Sequence, residues 1–298
     1  MSSASLMRYC FLGDSGLLVS RMAIGGWVVF DGNPSVDKAY ETFKHGYRNG
    51  INFWDTAENY GNGSSELVIG QVLQRGLEDG VWTREDLVIS TKLFSGTKDG
   101  PNTKGLGRKK LVDSLKASLK RLQTDYVDVV FCHHPDKFTP MEEVVRTMNY
   151  IIDQGWAFYW GTSNWMEADI LDACRVADRL GMIRPILEQP QYNLLERTKV
   201  EVDFQSLYIK YNYGLTVWSP LAFGLLTAKY TNGVPKGSRF ENPFFATFFD
   251  DFPALTAQIE HLRPIATNVG CSVAQLALAW ALSNVNVTIA LEFSCTLK

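Results

Sequence analysis

The chain has 298 residues, of which 46% are hydrophobic and 20% charged, with a formal net charge of −3. That balance supports a large buried core, excludes disordered and fibrous classes, and gives no electrostatic reason to expect nucleic acid as a partner. The length suits one α/β barrel, which typically takes about 250 residues, so a single domain over 1–298 is the simplest organisation.

Residues 1–8 lack the sustained apolar stretch of a secretory signal, and no run approaches the roughly 18 apolar residues of a membrane-spanning helix. Cys10, Cys132, Cys174, Cys271 and Cys295 include no CxxC pair, which fits reduced thiols in a cytoplasmic protein. His133 and His134 are adjacent and therefore point in different directions, while His45 and His261 stand alone, so no metal site is expected.

In chain order, short apolar runs of β type alternate with amphipathic helical stretches, the pattern of βαβ units around a parallel sheet. Residues 9–12 and 17–20 flank Gly13-Asp14-Ser15-Gly16 and read as a hairpin that plugs a barrel floor. Strands are predicted at 21–25, 50–54, 87–91, 126–132, 157–161, 186–189, 215–218 and 287–291, and eight is the barrel number. The helix over 109–122 carries Leu111, Leu115, Leu119 and Leu122 on one stripe, and that over 272–283 carries Val273, Leu276, Ala277 and Trp280. Both stripes read as core. Two long insertions, 94–107 after the third barrel strand and 221–251 after the seventh, are expected to be lids or binding segments, the first hanging over the mouth.

Asp55, Tyr60, Lys92 and His133 each follow one of these strands, and in an α/β barrel such positions converge on the mouth where barrels do their chemistry. An acid, a phenol, an amine and an imidazole around one point suit carbonyl reduction beside a hydride donor. Tyr60 would protonate the developing alkoxide if the Lys92 ammonium lowered its pKa from about 10. Asp55 would hold Lys92 charged and oriented, and His133 would position the substrate oxygen. The alternative from the residues alone is a structural Asp55–Lys92 ion pair with Tyr60 packed at a rim.

The runs Asn52-Phe53-Trp54-Asp55-Thr56-Ala57-Glu58-Asn59-Tyr60-Gly61, Ile89-Ser90-Thr91-Lys92, His133-His134-Pro135-Asp136 and Gly161-Thr162-Ser163-Asn164-Trp165 resemble the aldo-keto reductase family. Within it, three further runs resemble the β subunits of voltage-gated potassium channels and their plant and microbial relatives. These are Lys104-Gly105-Leu106-Gly107-Arg108-Lys109-Lys110, Tyr126-Val127-Asp128-Val129-Val130-Phe131 and Gly155-Trp156-Ala157-Phe158-Tyr159-Trp160-Gly161-Thr162-Ser163. The resemblance implies a (β/α)8 TIM barrel, bound NADPH or NADP+, and a catalytic set of Asp55, Tyr60, Lys92 and His133. It implies a small carbonyl substrate and, by family analogy, a homo-tetramer or docking on a channel α subunit. Mammalian channel subunits generally carry asparagine where His133 stands, so this chain looks equipped for turnover. The leading expectation is NADPH-dependent reduction of aldehydes and ketones to alcohols; the alternative is a cytosolic channel-subunit-like regulator that uses bound NADPH as a redox sensor.

Ser163, Asn164 and Gln189, at the fifth and sixth barrel strands, carry uncharged groups suited to a nicotinamide carboxamide, and matching family residues do that job. Trp218 ends the seventh strand, where its indole either stacks on the nicotinamide or is a core tryptophan. Ser219, Pro220, Leu221 and Gly224, with Lys229, would carry the pyrophosphate, because small residues let backbone amides approach it. Arg239 matches a family arginine at the adenosine end, where a guanidinium suits a 2′-phosphate and hence NADPH over NADH. The resemblance adds Gly26, Trp27 and Asp55 to the cofactor contacts. No GxGxxG follows a strand, so a Rossmann fold is not indicated. Relatives continue past the eighth strand into a Gly-Ala/Ser-Ser/Thr turn and an adenosine-holding helix. Here Glu292-Phe293-Ser294-Cys295-Thr296-Leu297-Lys298 follows Leu291, and a chain truncated after strand eight is the expectation.

Overall fold

A computed structural model describes residues 6–27, 35–249 and 251–292. Two short antiparallel strands, β1 (Tyr9–Phe11) and β2 (Leu18–Ser20), precede a closed barrel of parallel strands. The barrel consists of β3 (Met22–Gly25), β4 (Phe53–Asp55), β5 (Val88–Leu93), β6 (Val127–Cys132), β7 (Ala157–Ser163), β8 (Leu187–Gln189), β9 (Gly214–Val217) and β10 (Val287–Glu292). Each strand lies beside its neighbour in sequence, and β10 closes on β3. This is the (β/α)8 barrel with its N-terminal hairpin. Residues 293–298, on which most of the truncation expectation falls, lie outside the described residues.

The helices fill the intervals. They are α1 (Val36–Arg48), α2 (Ser64–Glu78), α3 (Arg108–Leu122), α4 (Met141–Asp153), α5 (Glu167–Leu180) and α6 (Gln205–Tyr211), followed by α7 (Pro243–Ala246), α8 (Phe252–Glu260), α9 (Leu262–Asn268) and α10 (Val273–Ser283). The leucine stripe read in α3 is buried along its whole length. In α10 the Ser272 hydroxyl and the Gln275 side chain form a capping box, which satisfies amides the first turn cannot pair internally. Only part of the α10 stripe is fully buried: Val273 and Ala277 are, whereas Leu276 and Trp280 are half-buried.

Strand alternation then decides what faces the barrel axis. Leu12 and Val19 of the hairpin pack with Ala23, Phe53, Val88, Val129, Phe131, Leu187, Ile289 and Leu291 into an inner cluster that closes the floor. Trp54, Ile89, Val130 and Cys132, one residue out of phase, join the larger layer between barrel and helices. Continuing the inner phase by two residues gives Asp55 after Phe53, Ser90 and Lys92 after Val88, His133 after Phe131, and Gln189 after Leu187. The apolar floor and the polar mouth are thus successive rings of one barrel interior.

Several strand ends differ from the sequence reading. Asp55 pairs with Gly25 and Ser90, and Lys92 pairs with Phe131, so both lie inside the last rungs of their strands rather than beyond them. The β9 ladder stops at Val217, and Trp218 follows it in an isolated bridge to Gln191. Hydrogen bonds to both flanking strands carry β4 and β5 past the apolar run that marked them.

Outside the barrel, Trp54 meets Trp82 edge-to-face at 5.0 Å, and Trp82 also contacts Tyr40 and Tyr47 at 6.0 and 5.6 Å. That aromatic knot sits directly on α2, because Gly76 has no side chain: a Cβ there would lie 1.9 Å from the Trp82 ring. Alanine in a helix gains roughly 1 kcal/mol over glycine, whereas overpacking costs about 1–3 kcal/mol. With a ring rather than a flexible tip in the way, overpacking wins. Gly76→Ala is therefore expected to destabilise the fold by up to about 2 kcal/mol, seen as a lower denaturant midpoint; an unchanged or raised midpoint would mean that Trp82 shifts freely.

Candidate active site

At the C-terminal end of the barrel the Lys92 ammonium, with no solvent exposure, donates to Asp55 Oδ2 at 2.5 Å and to the Thr56 carbonyl at 2.8 Å. Asp55 Oδ1 accepts from Ser90 Oγ at 2.7 Å and from Gln189 Nε2 at 3.2 Å. One carboxylate thus ties β4 to β5 and, across the barrel, to β8. Gly26 lies just behind: its amide donates to the Asp55 carbonyl at 2.7 Å, and a Cβ on it would stand 2.3 Å from Ser65 Oγ. Glycine is required there by space, not by a special backbone angle.

Above this floor opens a cavity of about 240 Å3. Tyr60 and His133 line it with ring centroids 5.8 Å apart, and the Lys92 ammonium stands 4.8 Å from the Tyr60 centroid. Tyr60 is carried by a 3-10 turn (Tyr60–Gly63) immediately after the β4 end. Ser163, Asn164 and Gln189 form part of the wall, with Ser163 Oγ donating to the Gln189 carbonyl at 2.9 Å. The Trp218 indole donates to Asn164 Oδ1 at 3.2 Å, which fixes both side chains. Trp27, Ser219, Leu221, Gly224 and Arg239 complete the predicted set on the wall. Asp55 and Lys92 lie beneath the cavity, Pro220 is buried behind it, and Lys229 is exposed outside it, 5.1 Å from the Tyr230 centroid.

Residues 21–296 match the sequence profile of the Aldo/keto reductase family. The chain belongs to that family. It is also 49% identical over 288 residues to proteins of Arabidopsis thaliana and of Oryza sativa subsp. japonica, each called a probable voltage-gated potassium channel subunit beta. Each match covers 95% of this chain and 85% of the relative. Family membership carries a general oxidoreductase role, and members generally use NAD(P)H. Among the described residues no single helix is long and apolar enough to cross a membrane, and no group of three or more His, Cys, Asp or Glu is placed to hold a metal ion.

The electrostatics of this site follow from burial around one ion pair. Burial lowers the Lys92 pKa, and the Asp55 carboxylate, then Glu66, counteract it. Burial, the Lys92 charge and His134 push His133 well below the ordinary imidazole value, so His133 is neutral at physiological pH. Tyr60 moves opposite to the sequence expectation. Burial first and the Asp55 carboxylate second raise its phenol well above 10. In the free cavity Tyr60 is a firmly protonated acid.

Sequence reasoning missed the support beneath the loops. Glu58 is buried and accepts from the Phe94 and Gly96 amides at 2.7 and 2.9 Å, while Lys110 of α3 donates to both its oxygens at 2.7 and 2.9 Å. Asp136 accepts the Leu106 amide at 2.8 Å. Pinned at both ends, loop 94–107 does not overhang the cavity; Phe94, Pro101 and Lys104 line a separate groove. The second insertion does border the cavity, through Leu221, Phe223, Gly224, Arg239 and Phe248, with Phe223 stacked on Phe248 at 4.7 Å. A carboxylate embedded in the otherwise uncharged run after Asp55 was the available signal for Glu58, but its partner lies 52 residues away.

Truncating Lys110 would strand the Glu58 charge, a change that typically costs about 3–5 kcal/mol for a buried pair. Lys110→Met is accordingly expected to lower the melting temperature markedly and to open loop 94–107 to limited proteolysis. Wild-type cleavage kinetics in that loop would show that the pair does not hold it.

Proposed function

We propose that the chain reduces small aldehydes or ketones to alcohols with NADPH, with Tyr60 as general acid. The observation that carries this reading is that protonated Tyr60 and neutral His133 sit together over the buried Lys92–Asp55 pair, in a cavity also walled by Ser163, Asn164, Gln189 and Trp218. The wall fits a dinucleotide: the hydroxyl and two carboxamides suit a nicotinamide amide, the Trp218 indole suits its ring, and Arg239 supplies a guanidinium suited to a 2′-phosphate. The bound cofactor would deliver hydride to the carbonyl carbon.

The chain's own residues then handle the oxygen. His133, uncharged, donates a hydrogen bond to the carbonyl oxygen from whichever ring nitrogen carries its proton, orienting it without competing for the proton. As negative charge develops, the Tyr60 hydroxyl transfers its proton to that oxygen, completing the alcohol. Lys92 stabilises the phenolate left behind, and Asp55 keeps the ammonium in place. In Tyr60→Phe, turnover should fall by about two orders of magnitude or more while NADPH still quenches tryptophan fluorescence and binds tighter than NADH. Lys92→Met should lose activity beyond any loss of melting temperature. Near-normal turnover in a folded Tyr60→Phe would sink the assignment.

The names of the two plant relatives support a second reading, compatible with the first. The chain would be a cytoplasmic regulator that joins a channel α subunit as a homo-tetramer and senses redox state through bound NADPH. Light scattering on the purified chain should then give a mass near four chains; a monomer at all concentrations would remove this reading.

A further inference from the structure

Glu188 is fully buried on β8 and lies between the predicted site residue Gln189 and the inner-cluster residue Leu187, but in the opposite phase, so it faces away from the barrel axis. Its Oε1 accepts the Trp165 amide at 3.0 Å, and its Oε2 has no hydrogen-bond partner. The amide it holds belongs to the tight turn after β7. There Asn164 adopts a left-handed backbone with φ of 61°, a conformation that a non-glycine residue keeps only when its surroundings enforce it. Asn164 in turn receives the Trp218 indole and lines the cavity. A buried carboxylate therefore underpins the two side chains assigned to the nicotinamide end.

We propose that Glu188 is a positioning residue for the dinucleotide: as a carboxylate it clamps the Asn164–Trp165 turn and so sets how firmly Asn164 and Trp218 are presented to the ring. This inference rests on the reading that the cavity holds a dinucleotide.

The clamp is proton-sensitive because of what surrounds it. Burial raises the Glu188 pKa from its ordinary 4.5 to about 7, opposed by the Thr162 hydroxyl, by Lys199 and by the Trp165 and Asn164 amides. The other titratable groups that face it are the Cys132 thiol of β6, the Tyr208 phenol of α6 and the Tyr213 phenol before β9, all raised by burial and neutral in this range. Ionisation strengthens the hydrogen bond to the Trp165 amide. The same ionisation works against the fold. With a folded pKa above the unfolded one, the stabilisation from neutral Glu188 is complete below about 4.5 and is lost as pH rises through about 7.

The test is a titration of NADPH and of NADH into wild type and Glu188→Gln by tryptophan fluorescence from below to above neutral pH, with thermal melts at each point. Wild type should gain about fivefold in affinity over Glu188→Gln across this range, the advantage of a charge-assisted over a neutral hydrogen bond. Any pH effect of the NADPH 2′-phosphate is common to both chains, and NADH lacks that group. The melting temperature of Glu188→Gln should gain on wild type above neutral pH. Parallel affinity profiles in the two chains would overturn the inference while leaving the dinucleotide reading intact, whereas no binding by either chain at any pH would remove that reading itself. Should Glu188→Gln fail to fold, wild type alone decides: a flat NADH affinity profile overturns the proposal and a rise through neutral pH supports it.

Discussion

An ammonium and a carboxylate with no access to water, Lys92 and Asp55, set the terms for the whole mouth of this barrel. Taking two such charges out of water costs several kcal/mol per ion even after relaxation, and only close pairing with further hydrogen bonds offsets it. Thr56, Ser90 and Gln189 supply those bonds, so the pair depends on the closed barrel that brings β4, β5 and β8 together. The pair then acts on its neighbours. Burial chiefly keeps His133 neutral and Tyr60 protonated, and the fixed positive charge of Lys92 and negative charge of Asp55 add to it in turn.

The barrel turns a pattern of alternate residues into a change of polarity along one axis. Phe53, Val88, Phe131 and Leu187 close the floor with the hairpin, and two residues later the same phase presents Asp55, Ser90, His133 and Gln189. Nothing local makes these positions polar or apolar. The floor is sealed by Leu12 and Val19 whereas the mouth opens to a cavity, and each ring carries side chains suited to its exposure. Residues of the other phase serve the scaffold, as Trp54 does against Trp82, or reach the site at second hand, as Glu188 does through the turn at Asn164.

A second tier of buried ion pairs ties α3 to its surroundings: Glu58–Lys110 joins it to the barrel mouth and Glu66–Arg121 joins it to α2. Glu66 also accepts the Thr91 hydroxyl one rung below Lys92, linking this tier to the central pair. By tying down the start of loop 94–107, Glu58 directs it toward a separate groove. Covering the cavity falls to the segment after β9, whose aromatic side chains pack on Trp27 and on one another.

The sequence by itself determined the strand count, the order of βα units and the identity of the ion pair, because hydrophobic period and strand-end position are local properties of the chain. It also singled out most of the cavity wall, though not Asn59, His134, Phe248 or Glu292; of the predicted set, Gly26, Asp55, Lys92, Pro220 and Lys229 do not line it. Tertiary structure decided the rest. The direction of the Tyr60 shift is set by burial of the phenol among distant segments and then by the Asp55 carboxylate, neither of which a local pattern shows. The partner of Glu58, the course of loop 94–107 and the buried state of Glu188 likewise arise from contacts between distant segments. Periodicity tells which face a residue takes; it cannot tell what waits on the other side of that face.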